Sequence, residues 1–102
     1  MDIECNDHGD GTVDVVLHGH LDISVADQLR RALLVDVLGS RPTKLTVDLS
    51  DVGFIDSSVL GVLVATRKRS VALGVELLLH SPSERVQHIL EATGLDRVFP
   101  LD

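Results

Sequence analysis

Along this chain, stretches with an apolar residue at every second position alternate with stretches whose apolar residues recur at helical spacing. That alternation limits the fold more than any other feature. Thr12 to Leu17 puts Val13, Val15 and Leu17 on one face, and Lys44 to Leu49 does the same with Leu45, Val47 and Leu49. Val75 to Leu79 is a nearly continuous apolar run, the pattern of a strand covered on both faces. Strands separated by helices predict a mostly parallel sheet with right-handed crossovers.

The punctuation agrees. Ile3 and Cys5 alternate with Asp2, Glu4 and Asn6 as a first short strand, and His8-Gly9-Asp10-Gly11 supplies a hairpin turn. Ser24 and Asp27 stand at capping-box spacing before Val25, Leu29, Ala32, Leu33 and Val37, with Gly39 at the position that ends a helix. Arg41-Pro42 breaks the chain before the third strand. Asp56-Ser57-Ser58 opens a long helix ending at Gly74, whose last turns carry Arg67, Lys68 and Arg69. In Ser81-Pro82-Ser83-Glu84, Ser81 reads as an N-cap with Pro at N1 and Glu at N3. Val86, Ile89, Leu90 and Thr93 then face inward up to Gly94, and Val98-Phe99-Pro100-Leu101 reads as a last edge strand. The expected order is β-β-α-β-α-β-α-β, in one domain over residues 1–102.

Composition narrows the partners. With Phe54 and Phe99 the only aromatics among 102 residues, the core must be aliphatic. A formal charge of −7 and almost no aromatic side chains for stacking bases argue against nucleic acid, and the charge argues against anionic membranes. No apolar run reaches the roughly 18–20 residues of a spanning helix, and MDIECNDHG is too polar for a signal peptide. Cys5 is the lone cysteine and can form no internal disulfide, which points to a reducing cytoplasm.

The segment richest in chemistry is Asp48 to Gly61. It delivers two hydroxyls, Ser57 and Ser58, to a helix N-terminus, where free N–H groups and the positive dipole end favour a negative group. A phosphoryl group on Ser57 suits that position, and so does simple capping by Asp and Ser. Asp22, Asp48, Asp51 and Asp56 all fall near strand ends that a parallel sheet gathers on one edge. A phosphoserine there would add about −1.5 to −2 charges to a negative surface and expel a partner without altering the fold. His18 and His20, at i and i+2, have chelating spacing, but no CxxC, HxxxH or carboxylate pattern supports a metal. Neither G-x-S-x-G, a P-loop nor G-x-G-x-x-G occurs. Arg67-Lys68-Arg69 reads as the complement of its helix's dipole.

Val47 to Gly61, with Asp48-Leu49-Ser50 and Asp56-Ser57-Ser58-Val59-Leu60-Gly61 at its ends, resembles the central signature of STAS domains, specifically of bacterial anti-sigma factor antagonists. Gly19-His20-Leu21-Asp22 resembles the family's G-E-L-D box, and the element order matches across essentially the whole chain. The resemblance implies a binding switch and not an enzyme. In the family, the unphosphorylated protein binds an anti-sigma factor and so releases a sigma factor. The anti-sigma factor is itself a serine kinase that inactivates its antagonist, and a PP2C-type phosphatase reverses the mark. Carried onto this chain, the acceptor is Ser57, with Ser58 as the fallback. Asp22 matches an aspartate that takes part in kinase binding, and Ser24, Asp56, Ser58, Val59 and Leu60 complete the partner-binding set. Mg²⁺ and ATP belong to the kinase, so no cofactor or metal is expected on this chain.

Three departures qualify the match. Val59 replaces the family's usual Gly, adding bulk beside the acceptor. His20 replaces the Glu of the box and would make docking sensitive to pH near 6–7. The chain ends just after the expected last strand, where many relatives add a helix, so a partner or a second copy in a homodimer would cover the exposed sheet face. Val59 also favours an alternative: a STAS scaffold or regulatory subunit of a stress-sensing or transporter complex with no phosphorylation switch.

Overall fold

The computed structural model describes residues 2–99. Strands β1 (Asp2–Asp7) and β2 (Thr12–Leu21) form the opening hairpin. Its turn is tied by Asp7 and Asp10, whose carboxylates accept the N–H groups of Gly9 and Thr12 at 2.9 and 3.0 Å. Helix α1 (Ile23–Arg30), strand β3 (Lys44–Ile55), helix α2 (Ser57–Leu73), strand β4 (Glu76–His80) and helix α3 (Glu84–Thr93) follow. The four strands lie in the order β1-β2-β3-β4. β1 is antiparallel to β2, and the β2–β3 and β3–β4 pairs are parallel. The result is an α/β domain with a mixed, mostly parallel sheet.

Alternation fills the core from one side of the sheet. Val13, Val15 and Leu17 of β2 and Leu45, Val47 and Leu49 of β3 are buried, while Asp14, Val16, Lys44, Thr46 and Asp48 between them are half-buried. β4 follows the same rule and is not covered on both faces: Leu77 and Leu79 are buried, Leu78 is half-buried and Glu76 is exposed. Leu29 and Leu33 from the α1 side, Leu63 of α2 and Leu90 of α3 complete this aliphatic cluster. Each such leucine contributes about 1.5–3 kcal/mol by leaving water.

Strand β3 runs six residues beyond Leu49 because two bulges interrupt its pairing with β2. Val16 pairs with Asp48 but His18 with Asp51, and Gly19 pairs with Val52 but His20 with Phe54. Each step inserts one extra residue into β3, so its buried positions pass from every second residue to every third: Leu49, Val52, Ile55.

Helix boundaries differ from expectation where two capping residues compete. Asp22 and not Ser24 caps α1, because its carboxylate reaches the Ser24 N–H while Ser24 already lies in the first turn. Ser83 and not Ser81 caps α3, with Pro82 outside the helix and the Ser83 hydroxyl also donating to the Val52 carbonyl at 2.6 Å. After α1 the chain widens into a π-helical segment (Arg31–Val37) and a 3₁₀ turn (Leu38–Ser40). The left-handed residue ending it is Arg41 and not Gly39. The wide turn brings Leu38, five residues after Leu33, into the same buried set. Arg67, Lys68 and Arg69 lie before the last turn of α2, which Gly74 closes in the left-handed conformation.

No strand forms over Val98 and Phe99: their N–H groups both donate to the Leu95 carbonyl, at 3.0 and 3.2 Å, in a helical turn. Pro100 and Leu101, the rest of that expected strand, lie outside the described residues. Thr93, expected inward, is exposed. Among the described residues, no helix is long and apolar enough to cross a membrane.

Candidate functional site

Leu21 and Ile55 end β2 and β3 as register partners, so the chain leaves the sheet twice at one place. The residues that follow, Asp22 and Asp56, are each the N-cap of the next helix. The Asp56 N–H donates to the Leu21 carbonyl at 3.1 Å, tying the two exits together. Parallel strands with adjacent helix starts thus gather two N-termini on one edge.

The two caps repeat one geometry. Asp22 Oδ1 accepts the Ser24 N–H at 2.9 Å and the Ser24 hydroxyl at 2.5 Å. Asp56 Oδ1 accepts the Val59 N–H at 3.0 Å and the Ser58 hydroxyl at 2.6 Å. The Ser24 hydroxyl, then its N–H, holds the Asp22 carboxyl below the usual range, opposed by burial and the nearby Asp56 charge. The Ser58 hydroxyl, then the Val59 N–H, does the same for Asp56, with the Ile23 N–H helping. Both carboxylates are charged at neutral pH.

Ser57 differs from its neighbours. It is exposed, in the first position of α2, and its hydroxyl takes part in no hydrogen bond among the described residues. Ser58 is half-buried and already donates to Asp56. The first-turn N–H groups of Ser57 and Ser58 have no acceptor within their helix. A group on the Ser57 oxygen would therefore meet water and the positive end of a 17-residue helix.

Of the expected partner-binding residues, Asp22, Ser24, Asp56 and Ser58 come together on this edge. Val59 and Leu60 do not present their side chains there, being 0% and 8% exposed in the core. Val59 therefore adds no bulk beside the acceptor, because its side chain faces away from solvent. Asp48 and Asp51 sit further back on β3. Asp48 accepts the Ser50 N–H at 2.9 Å, and Asp51 meets His18 Nδ1 at 2.5 Å. His18 is also met by Glu4 at 3.1 Å through Nε2, so its ring ties β3 to β1. His20 lies flat on Phe54, with ring centres 4.6 Å apart and planes 16° from parallel, and its Nε2 is 3.9 Å from Asp22. The histidines thus have separate tasks. Among the described residues, no three His, Cys, Asp or Glu side chains group as a metal site.

Ile23 was not identifiable from sequence. It is 76% exposed at the start of α1, beside Asp22, with its N–H facing the Asp56 carboxylate. A helical pattern marks buried residues and is silent about an apolar residue standing outside it.

The STAS domain family model matches residues 6–102. This chain belongs to the STAS domain family. Its relatives include the anti-sigma-B factor antagonist of Bacillus subtilis, 31% identical over 101 residues and matching 99% of this chain and 88% of that one. The anti-sigma-F factor antagonist RsfB of Mycobacterium tuberculosis is 35% identical over 98 residues, with 93% and 75% covered. The crystal structure of an anti-sigma factor antagonist from Mycobacterium paratuberculosis superposes with a TM-score of 0.86 at 30% identity, covering 98% of this chain and 83% of that one. In this STAS domain, the paired caps and the exposed Ser57 stand together at the ends of β2 and β3.

Proposed function

We propose that this STAS domain is an anti-sigma factor antagonist whose Asp22–Ser57 edge docks on an anti-sigma factor and is switched off by phosphorylation of Ser57. The observation that carries the reading is the contrast between two adjacent hydroxyls. Ser58 is engaged by its cap, whereas Ser57 is exposed and unengaged. Names of relatives matching nearly the whole chain support the same function.

The anti-sigma factor acts as the serine kinase. Its base takes the Ser57 hydroxyl proton as the oxygen attacks the γ-phosphorus of ATP, and ADP departs. Mg²⁺ and ATP sit in the kinase, and this chain contributes a presented nucleophile. The helix start tolerates the new charge, worth about 0.3–1 kcal/mol in its favour, so the fold survives. The same charge, about −1.5 to −2, stands beside the Asp22 and Asp56 carboxylates and opposes an acidic or apolar partner surface. Ile23 supplies the apolar anchor of the docked state. A PP2C-type phosphatase removes the phosphoryl group and restores docking, all in the cytoplasm.

Binding of the purified chain to its anti-sigma factor tests this. Ser57→Ala is expected to bind like wild type and to stay bound with ATP, and Ser57→Asp to bind at least tenfold more weakly. Equal binding by all three would refute the switch. The alternative, a scaffold or regulatory subunit without a phosphorylation switch, predicts instead that Ser57→Asp leaves partner binding unchanged.

A further inference from the structure

A groove lies between the π-helical segment after α1 and the outer side of α2. Two adjoining hollows of about 390 and 250 Å³ share Leu34 and Arg69 in their walls. Leu34, Ala65 and Ala72 form an apolar floor, and Arg41, Lys68 and Arg69 stand around it. All three cations are exposed. Every ion pair among the described residues involves a histidine, so none of these three is neutralised. Three basic side chains around an apolar floor give this patch a sign opposite to the chain's net charge of −7.

We infer that this groove docks an acidic amphipathic segment of a partner protein, laying apolar side chains on the floor and carboxylates against Arg41, Lys68 and Arg69. The chemistry is that of a helix-in-groove contact, with the floor contributing affinity and the charges orientation and encounter rate. A second copy joined groove to groove would oppose six like charges, which disfavours self-association there. Arg69 lies twelve residues beyond Ser57 on α2, about 18 Å along the axis at 1.5 Å per residue. The groove is thus a second surface, open whether or not Ser57 is modified.

The test titrates the full ¹⁵N-labelled chain with a synthetic amphipathic helix of about 16 residues carrying Leu at i, i+3, i+4 and i+7 and Glu elsewhere. Parallel titrations use the same peptide with Lys for Glu, phosphatidylserine vesicles and a single-stranded oligonucleotide. The expected result is saturable shifts at Leu34, Ala65, Arg69 and Ala72 with the acidic peptide alone, and none at Asp56–Ser58. Lys68→Glu with Arg69→Glu should weaken binding about tenfold or more, and Ser57→Asp should leave it unchanged. Both reversed residues are exposed, and an unchanged amide spectrum elsewhere verifies the fold. No shifts, shifts centred on Ser57, or equal binding of the Lys peptide, vesicles or oligonucleotide would each overturn the inference. So would concentration-dependent dimerisation of the chain that the double reversal abolishes.

Discussion

Asp22 and Asp56 hold equivalent places on two paired strands: each follows a strand end, caps the next helix, and binds the hydroxyl two residues on. The hydrogen bond from the Asp56 N–H to the Leu21 carbonyl locks the two exits into one edge. That lock makes Ser57 a fixed feature of the surface, presented by two strands and two helices together.

Removing one cap should loosen that edge. Asp56→Ala is expected to lower the urea midpoint, and Asp56→Asn by much less, because Asn still accepts the Val59 N–H. Urea unfolding of the three proteins, with the slope unchanged, measures it. The wild-type contribution depends on a depressed carboxyl. It is present above the ordinary value of 3.8 and lost as pH falls through the lower folded-state value.

Docking and folding should separate at Ile23. Ile23→Ala removes a side chain that is 76% exposed, so the unfolding midpoint should barely move, within about 0.5 kcal/mol. Affinity for the anti-sigma factor should fall about tenfold, as expected for an apolar anchor. By contrast, Leu63→Ala opens a cavity beneath α2 and should cost about 2–5 kcal/mol of stability. Calorimetric binding and thermal melts on the two variants distinguish these roles.

A pH effect should come from His18, within β2. The hydrogen bond with Asp51, with Glu4 adding to it and burial opposing, raises the His18 pKa above 6.5. A raised folded-state value means the contribution is fully present below about 6.5 and is lost as pH rises through the folded-state pKa. His8 beside Asp14 has the same sign, so the measurement is a difference. Subtracting the His18→Gln pH–stability profile from wild type should leave a term that declines from pH 6 toward pH 8. A flat difference would remove His18 from the account.

How far the sequence could be read depended on which rule governed each residue. Wherever one face of a strand simply alternates, as at Val13, Val15, Leu45 and Val47, burial followed the pattern. Past Leu49 the two bulges change the period, so the tail of β3 carried no readable strand signal, although it leads straight into Asp56. Capping was visible as a class of residue but not as a position. Asp22 and Ser24, like Ser81 and Ser83, both qualify by type, and only the strand exit or a distant carbonyl decides between them. Arg41 holds a left-handed turn with Gly39 two residues away, a choice made by the preceding π and 3₁₀ windings. Ser57 and Ser58 were legible as a pair. Their order came only from the family resemblance, because physically it rests on which hydroxyl the Asp56 carboxylate holds.

That difference yields the most direct measurement. The purified chain is incubated with its cognate anti-sigma kinase and Mg·ATP, and the phosphorylated residue is located by mass spectrometry. The account predicts a single phosphoryl group on Ser57, none on Ser58, loss of the complex as it accumulates, and no labelling of Ser57→Ala. Labelling of Ser58 in wild type, or a Ser57-phosphorylated chain that still binds as tightly, would contradict it.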